Sequence, residues 1–280
     1  MQREIEKKIQ AQASSDGDGV RIARSIGSRQ LVDVDPFLLL DELRSDDAAD
    51  YIRGFPPHPH RGFETITYML QGQMRHKDSA GNEGVIRAGD LQWMTAGSGI
   101  IHSEMPEQTQ GSLWGFQFWL NLPAKEKMRT PRYQEIASDN IPELHLSQGK
   151  VRVLAGEVEH KGEVIKGAAN DIVTHPMLLD VQLEHGQWQV NLPENHAALV
   201  YVYRGELAIA GSQMQEQQLA VLSQGNVLSL TTKAAPFGAL VLAAEPIKES
   251  IVRSGPFVMN TQEEILQAME DYRRGELVQA

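Results

Sequence analysis

Two short stretches limit what this chain can fold into: Phe55-Pro-Pro-His-Pro-His-Arg-Gly-Phe-Glu-Thr65 and Ile101-His-Ser-Glu-Met105. The first places His58 and His60 two residues apart; the second does the same for His102 and Glu104. Alternate residues of a β-strand point to one face. Each pair can therefore aim two side chains into one space, provided both stretches are strands. A fold that brings the pairs together makes three imidazoles and one carboxylate. Glu64 shares the parity of His58 and His60, so spacing alone leaves Glu64 and Glu104 both open as the carboxylate ligand. The one that loses is a proton acceptor or hydrogen-bond partner for the site. If it only caps a turn, it has no chemical role.

The sequence around these pairs has a strand-and-turn rhythm. Val20–Ile26, Thr65–Leu70, Leu91–Thr95, His102–Met105 and Leu113–Leu120 read as strands, with a hairpin turn at Asp78-Ser-Ala-Gly81. Such spacing predicts an all-β barrel or sandwich. Pro36–Leu40 is an apolar block suited to a core. The second half echoes the first. Tyr68-x3-Gly72 is matched by Tyr201-x3-Gly205, and Gly89-Asp90 by Gly225-Asn226. Two copies of one β-barrel unit are expected: residues 20–122 with the metal site and 150–255 without it. Residues 1–19 read as a flexible or frayed start, and 123–149, punctuated by Pro123, Pro131 and Pro142, as a linker. Residues 256–280 carry a helix and tail. Thr261-Gln-Glu-Glu264 is a capping box, and Ile265, Ala268, Met269 and Tyr272 share one helical face. That face needs a surface to cover it, and the first barrel is the expected one.

Transferring the first-half spacing to the second half tests for a second site. Counting back from Gly205 gives Ala197, Pro193 and Asn191; counting forward from Gly225 gives Gly238 and Leu240. None is a ligand, and no His-x-His occurs there.

Neutral imidazoles with one carboxylate suit Fe(II), Mn(II), Ni(II), Cu(II) or Zn(II) better than Ca(II) or Mg(II). Four such ligands on an octahedral ion leave two positions, for a bidentate substrate or for a substrate and dioxygen. Closed around tetrahedral zinc, they would be structural and inert. The chain has no cysteine, so disulfides, thiolate zinc sites and thiol nucleophiles are excluded. Its formal charge of -11 disfavours direct nucleic-acid binding. The start, Met1-Gln-Arg-Glu-Ile-Glu-Lys-Lys8, lacks the apolar core of a signal peptide, and no apolar run reaches the roughly 18 residues of a spanning helix. A soluble, cytoplasmic protein with no membrane partner is expected. His76 stands beside a hairpin turn and is expected at the surface, as are His145, His160, His175, His185 and His196. Trp93, Trp114 and Trp119 read as core or pocket wall. Gly97-Ser-Gly99 has no following lysine for a phosphate loop, and Ser98 and Ser103 lie in no activated-serine motif.

His58-x-His60-x3-Glu64 followed by Gly72 resembles the first cupin motif, and Gly89 to His102 a modified second one. Asp35-Pro-Phe-Leu-Leu-Leu-Asp-Glu42, Gly89-Asp-Leu-Gln-Trp-Met-Thr-Ala-Gly97, Ile101-His-Ser-Glu-Met-Pro106 and Gly255-Pro-Phe-Val-Met-Asn260 resemble the pirins, which are two-cupin proteins. The resemblance covers nearly the whole chain and is strongest over residues 31–120. It implies two cupin barrels facing each other, with Fe(II) in the N-terminal one, held by His58, His60, His102 and Glu104. Glu64 matches the general cupin glutamate but not the pirin ligand. By the same resemblance, one expected activity is that of a quercetin 2,3-dioxygenase, which opens a flavonol ring with dioxygen and releases carbon monoxide. A small aromatic polyphenol and dioxygen would be its substrates, with Glu104 or Glu64 as proton acceptor. The alternative is a metal-dependent regulator that binds a transcription factor or a metabolic enzyme.

Overall fold

Strands with apolar side chains on both faces belong in the middle of a sheet, and that is where the chain places them. In a computed structural model describing residues 1–232 and 235–278, twelve strands come first. They are β1 (Ile5–Gln10), β2 (Gln12–Asp16), β3 (Val20–Ile26), β4 (Phe37–Ser45), β5 (Phe55–His60), β6 (Phe63–Gln71), β7 (Gln73–Asp78), β8 (Glu83–Arg87), β9 (Leu91–Thr95), β10 (Ile100–Pro106), β11 (Leu113–Asn121) and β12 (Arg132–Ile136). Eleven of them form one unit. A seven-stranded antiparallel sheet runs β12-β9-β6-β11-β4-β3-β2, and a four-stranded sheet runs β5-β10-β7-β8. β11 and β4, each with seven or more buried residues out of nine, lie at the centre. Val20, Leu43, Phe55, Met69, Met74, Ile86 and Leu113 fill the space between the two sheets.

The other unit repeats this plan. Its seven-stranded sheet takes in β1, Gln218–Leu222, Ala197–Arg204, Phe237–Ala244 and Met177–Leu183, then β14 (Gly149–Ala155) and β13 (Glu143–Leu146). Its four-stranded sheet runs Gly186–Asn191, Val227–Thr232, Glu206–Ile209, Ser212–Gln215. The expected pair of barrels is therefore present. The shared landmarks have one steric cause. Gly72 (φ +82°) and Gly205 (φ +69°) end equivalent strands in the left-handed region, and a Cβ there would stand 2.8 Å from Ser112 O and 2.3 Å from Pro236 O.

Three expectations on domain organisation change. The charged start is a paired strand, not a flexible or frayed segment: Lys8 pairs with Ala220 and Gln10 with Gln218. Ile9 is buried while its neighbours are exposed, the pattern of an edge strand. Residues 123–149 are not an irregular linker. β12 pairs with β9 in the first unit, β13 with β14 in the second, and the chain crosses between units at Ser138–Asp139. Residues 247–278 belong with the first barrel, and 1–12 with the second.

The C-terminal helix, α1 (Gln262–Arg274), follows its sequence signals. Glu264 N–H donates to Thr261 Oγ1 at 3.2 Å, Thr261 N–H donates to Glu264 Oε2 at 2.9 Å, and Gly275 ends the helix in the left-handed region. Ile265 and Ala268 are fully buried against Phe257, Met259, Leu277 and Ile101, in the unit that holds the first barrel. Met269 and Tyr272, expected on the same covered face, are 47% and 43% exposed, so the buried stripe is narrower than the sequence pattern.

Candidate metal centre

The four-stranded sheet of the first unit puts the two ligand pairs side by side. β10 pairs with β5 so that His102 lies opposite His58 and Ile100 opposite His60. The register then shifts, with one extra residue on β5 between Phe55 and His58, and Glu104 lies opposite Phe55. On its other edge β10 pairs with β7, matching His102 with Asp78 and Glu104 with His76. Four polar side chains thus share the inner face of two adjacent strands.

His58, His60 and His102 converge, each offering a ring nitrogen within 4.8 Å of the other two. His58 Nδ1 lies 2.8 Å from the carbonyl of Pro56, and His60 Nδ1 lies 3.3 Å from that of Pro256. A carbonyl only accepts, so both Nδ1 atoms carry the hydrogen and both Nε2 atoms present lone pairs. These two Nε2 atoms stand 3.1 Å apart. Two acceptors at that distance repel unless a cation sits between them. Cis ligands of an octahedral ion with bonds near 2.1 Å would be about 3.0 Å apart. Neither ring nitrogen of His102 has a hydrogen-bond partner, although the residue is 1% exposed. Buried polar atoms are normally satisfied, and an ion is one way to satisfy these. Burial holds His60 and His102 well below the usual imidazole value, with the neighbouring imidazoles adding to the effect. Both rings are neutral at pH 7, the form that binds metal. The donor set fits a divalent transition metal.

Glu104 is 2% exposed on the same strand face, two residues beyond His102. Its carboxylate is not within the 4.8 Å group of histidine nitrogens. Oε1 accepts from Thr67 Oγ1 at 2.9 Å, and Oε2 from Gln117 Nε2 at 2.7 Å. Glu64 does not face the histidines. It lies three residues before Thr67 on β6, hence on the opposite face. There it accepts from Thr95 Oγ1 at 2.6 Å, while burial raises its carboxyl against the pull of Thr95 and Trp93. The parity that linked Glu64 to His60 breaks at Arg61–Gly62. Gly62 adopts φ +89°, and a Cβ there would meet Val258 O at 2.1 Å.

His76 was expected at the surface and is fully buried. Its Nε2 is 3.0 Å from Asp78 Oδ2, its ring stacks on Tyr133 at 4.8 Å, and its centroid is 5.3 Å from that of His102. The alternation Met74-x-His76-x-Asp78, all buried, was the available signal. His196, also expected outside, is 8% exposed; His145, His175 and His185 are exposed. Trp93 and Trp114 are core residues, and Trp114 donates to Glu42.

A cavity of about 610 Å3 opens over His58 and His60, a size that suits a drug-sized ligand. Phe55, Gln117, Trp119 and Arg253 form part of its wall, and the Arg253 guanidinium lies 4.6 Å over the Trp119 ring. In the second unit the strands equivalent to β5 and β10 carry Trp188, Val190, Leu228 and Leu230 inward, all buried in an apolar core. These, and not the positions reached by counting from Gly205 and Gly225, occupy the place of the histidines. The turns between landmarks differ in length, which shifts the count. A cavity of about 510 Å3 in that unit borders His175 and His196. Among the described residues, His58, His60 and His102 are the one group of three metal-ligating side chains.

A profile described as Pirin matches residues 19–120, and one described as Pirin C-terminal cupin domain matches residues 178–278. A Vibrio cholerae protein, provisionally named a quercetin 2,3-dioxygenase, is 47% identical over 98% of this chain and 97% of its own. The pirin of Mus musculus is 38% identical over 97% of this chain and 92% of its own. A crystal structure titled quercetin 2,3-dioxygenase, from Acinetobacter baumannii, superposes with a TM-score of 0.89 at 34% identity, covering 99% of both chains.

Proposed function

The chain belongs to the pirin family, and from that premise we propose that its first barrel is an iron-dependent dioxygenase site that opens a flavonol with dioxygen and releases carbon monoxide. The observation that carries this reading is the convergence of His58, His60 and His102 beside a cavity large enough for a planar polyphenol. The relatives named as quercetin 2,3-dioxygenases support it.

His58, His60 and His102 would hold the ion, with Glu104 as the fourth ligand. When bound, the metal supplies Lewis acidity and a redox-active centre for oxygen chemistry. The protein does the rest. Pro56 and Pro256 carbonyls fix the His58 and His60 tautomers, so that Nε2 is the donor atom of each. Thr67 and Gln117 orient the Glu104 carboxylate. Glu104 Oε2 accepts the proton of the flavonol 3-hydroxyl as the substrate settles. Trp119 and Arg253 give the cavity a flat wall that aligns a planar ring system. The test is to load the protein with Fe(II), add quercetin, and follow oxygen uptake and carbon monoxide release. Uptake no greater than in the metal-free control would overturn the proposal.

A second reading, a metal-dependent regulator, draws on α1. Leu266, Met269 and Tyr272 are exposed apolar side chains on the helix, and Asp271 is ion-paired with Arg61, the residue after His60. A metal bound at His60 would stiffen the strand that holds this surface. The net charge of -11 suits a protein partner over nucleic acid. Metal-dependent capture of a transcription factor or metabolic enzyme, with no flavonol turnover, would favour this reading.

A further inference from the structure

A second, smaller cavity adjoins Glu104 inside the first unit. Its walls are Leu43, Met69, Met74, Leu113 and Phe116, all buried. It offers about 10 Å3 to the centre of a small molecule, which is room for about one water or one diatomic. Water in a protein interior needs two to four polar partners. Here the polar side chains bond first to one another. Thr67 Oγ1 and Gln117 Nε2 both donate to Glu104, and Gln117 Oε1 accepts from Trp119 Nε1 at 3.4 Å. The remaining surface is hydrocarbon, thioether and aromatic ring, which favours an apolar guest.

Phe55 and Gln117 line both this chamber and the larger cavity over His58 and His60. They stand where the two spaces meet, and Glu104 lines the chamber beside them. We propose that the chamber holds dioxygen beside Glu104 while the organic substrate occupies the larger cavity. The identity of the gas rests on the oxygenase reading above; the preference for a small apolar diatomic rests on the walls. The two substrates then reach the metal centre from different sides, and neither has to displace the other.

The experiment uses the full chain loaded with zinc, a diamagnetic metal, with 13C in the methionine methyl groups. Dissolved oxygen under pressure enhances the relaxation of methyls it approaches. Met69 and Met74 should show an enhancement several-fold greater than Met94 and Met214, which are equally buried outside the chamber. Equal enhancement at all four overturns the proposal. Leu113→Phe fills the chamber and should abolish the excess. In the iron-loaded protein it should raise KM for oxygen several-fold and leave KM for quercetin unchanged. Leu43→Phe fills the same space from another wall and gives the same result if Leu113→Phe disturbs folding. A methyl effect without quercetin-dependent oxygen uptake sinks the dioxygenase reading and leaves the chamber standing. Turnover with no methyl excess sinks the chamber and leaves the dioxygenase.

Discussion

Arg61 Nη1 lies 2.6 Å from Asp271 Oδ2, tying the residue after His60 to the C-terminal helix. The Arg61 side chain is 3% exposed, and its Nε also donates to Ser98 O. Removing one member of such a pair strands the other charge out of water. Asp271→Ala should destabilise the protein by about 2 kcal/mol, read from the urea midpoint at constant slope. An unchanged midpoint would mean that the helix is held by Ile265 and Ala268 alone.

Metal binding should stabilise the fold by mass action. With free ion at 100 times its dissociation constant, the gain is about 2.7 kcal/mol. Thermal unfolding with and without a chelator measures it. His102→Ala should lose the chelator response, because it removes the imidazole whose two nitrogens lack any other partner.

Thr67→Val keeps the side-chain shape and removes the hydroxyl that donates to Glu104 Oε1. If Glu104 is a ligand, metal affinity or activity should fall about 10- to 100-fold, the usual cost of losing a group that orients a ligand. Titration with a chromogenic competitor gives the affinity. Thr95→Val, which touches Glu64 on the other face of the sheet, should leave it unchanged.

Lys127 gives the stability a pH dependence. Its ammonium is buried and donates to Gly62 O, Asn121 Oδ1 and Val258 O, while burial lowers its pKa to about 8. The unfolded chain keeps a value near 10.4. Between these values the unfolded state binds more protons, so this contribution rises as pH climbs from about 8 to about 10 and is smallest below 8. Lys127→Met leaves three acceptors unpaired at every pH and has no such ionisation. The gap in unfolding free energy between wild type and variant should widen by about 3 kcal/mol from pH 7 to pH 10.5. A constant gap would show that the amine is already free of any burial cost.

Much of this was legible in the sequence because it is local. His58 and His60, like His102 and Glu104, stand two apart on continuous strands, so strand periodicity alone puts each pair on one face. The cap at Thr261 and Glu264 is equally local. What escaped depends on distant partners or on a break in the backbone. Strand parity misplaces Glu64 because Gly62 turns the chain between β5 and β6. His76 stands alone in the sequence and gains its setting from pairing opposite Glu104, 28 residues on. The charged start reads as frayed because the partner of β1 lies more than 200 residues away.

The pairing of β1 also bears on how the protein can be made. β1 closes the sheet edge at Gln218–Leu222 in the later barrel, and α1, at the far end of the sequence, belongs with the earlier one. Neither barrel is a contiguous segment, so no single cut yields two whole halves. A fragment starting at Asp139 would bare that strand edge and invite association with other chains. Each unit needs sequence from distant parts of the chain, a high-contact-order topology that folds slowly.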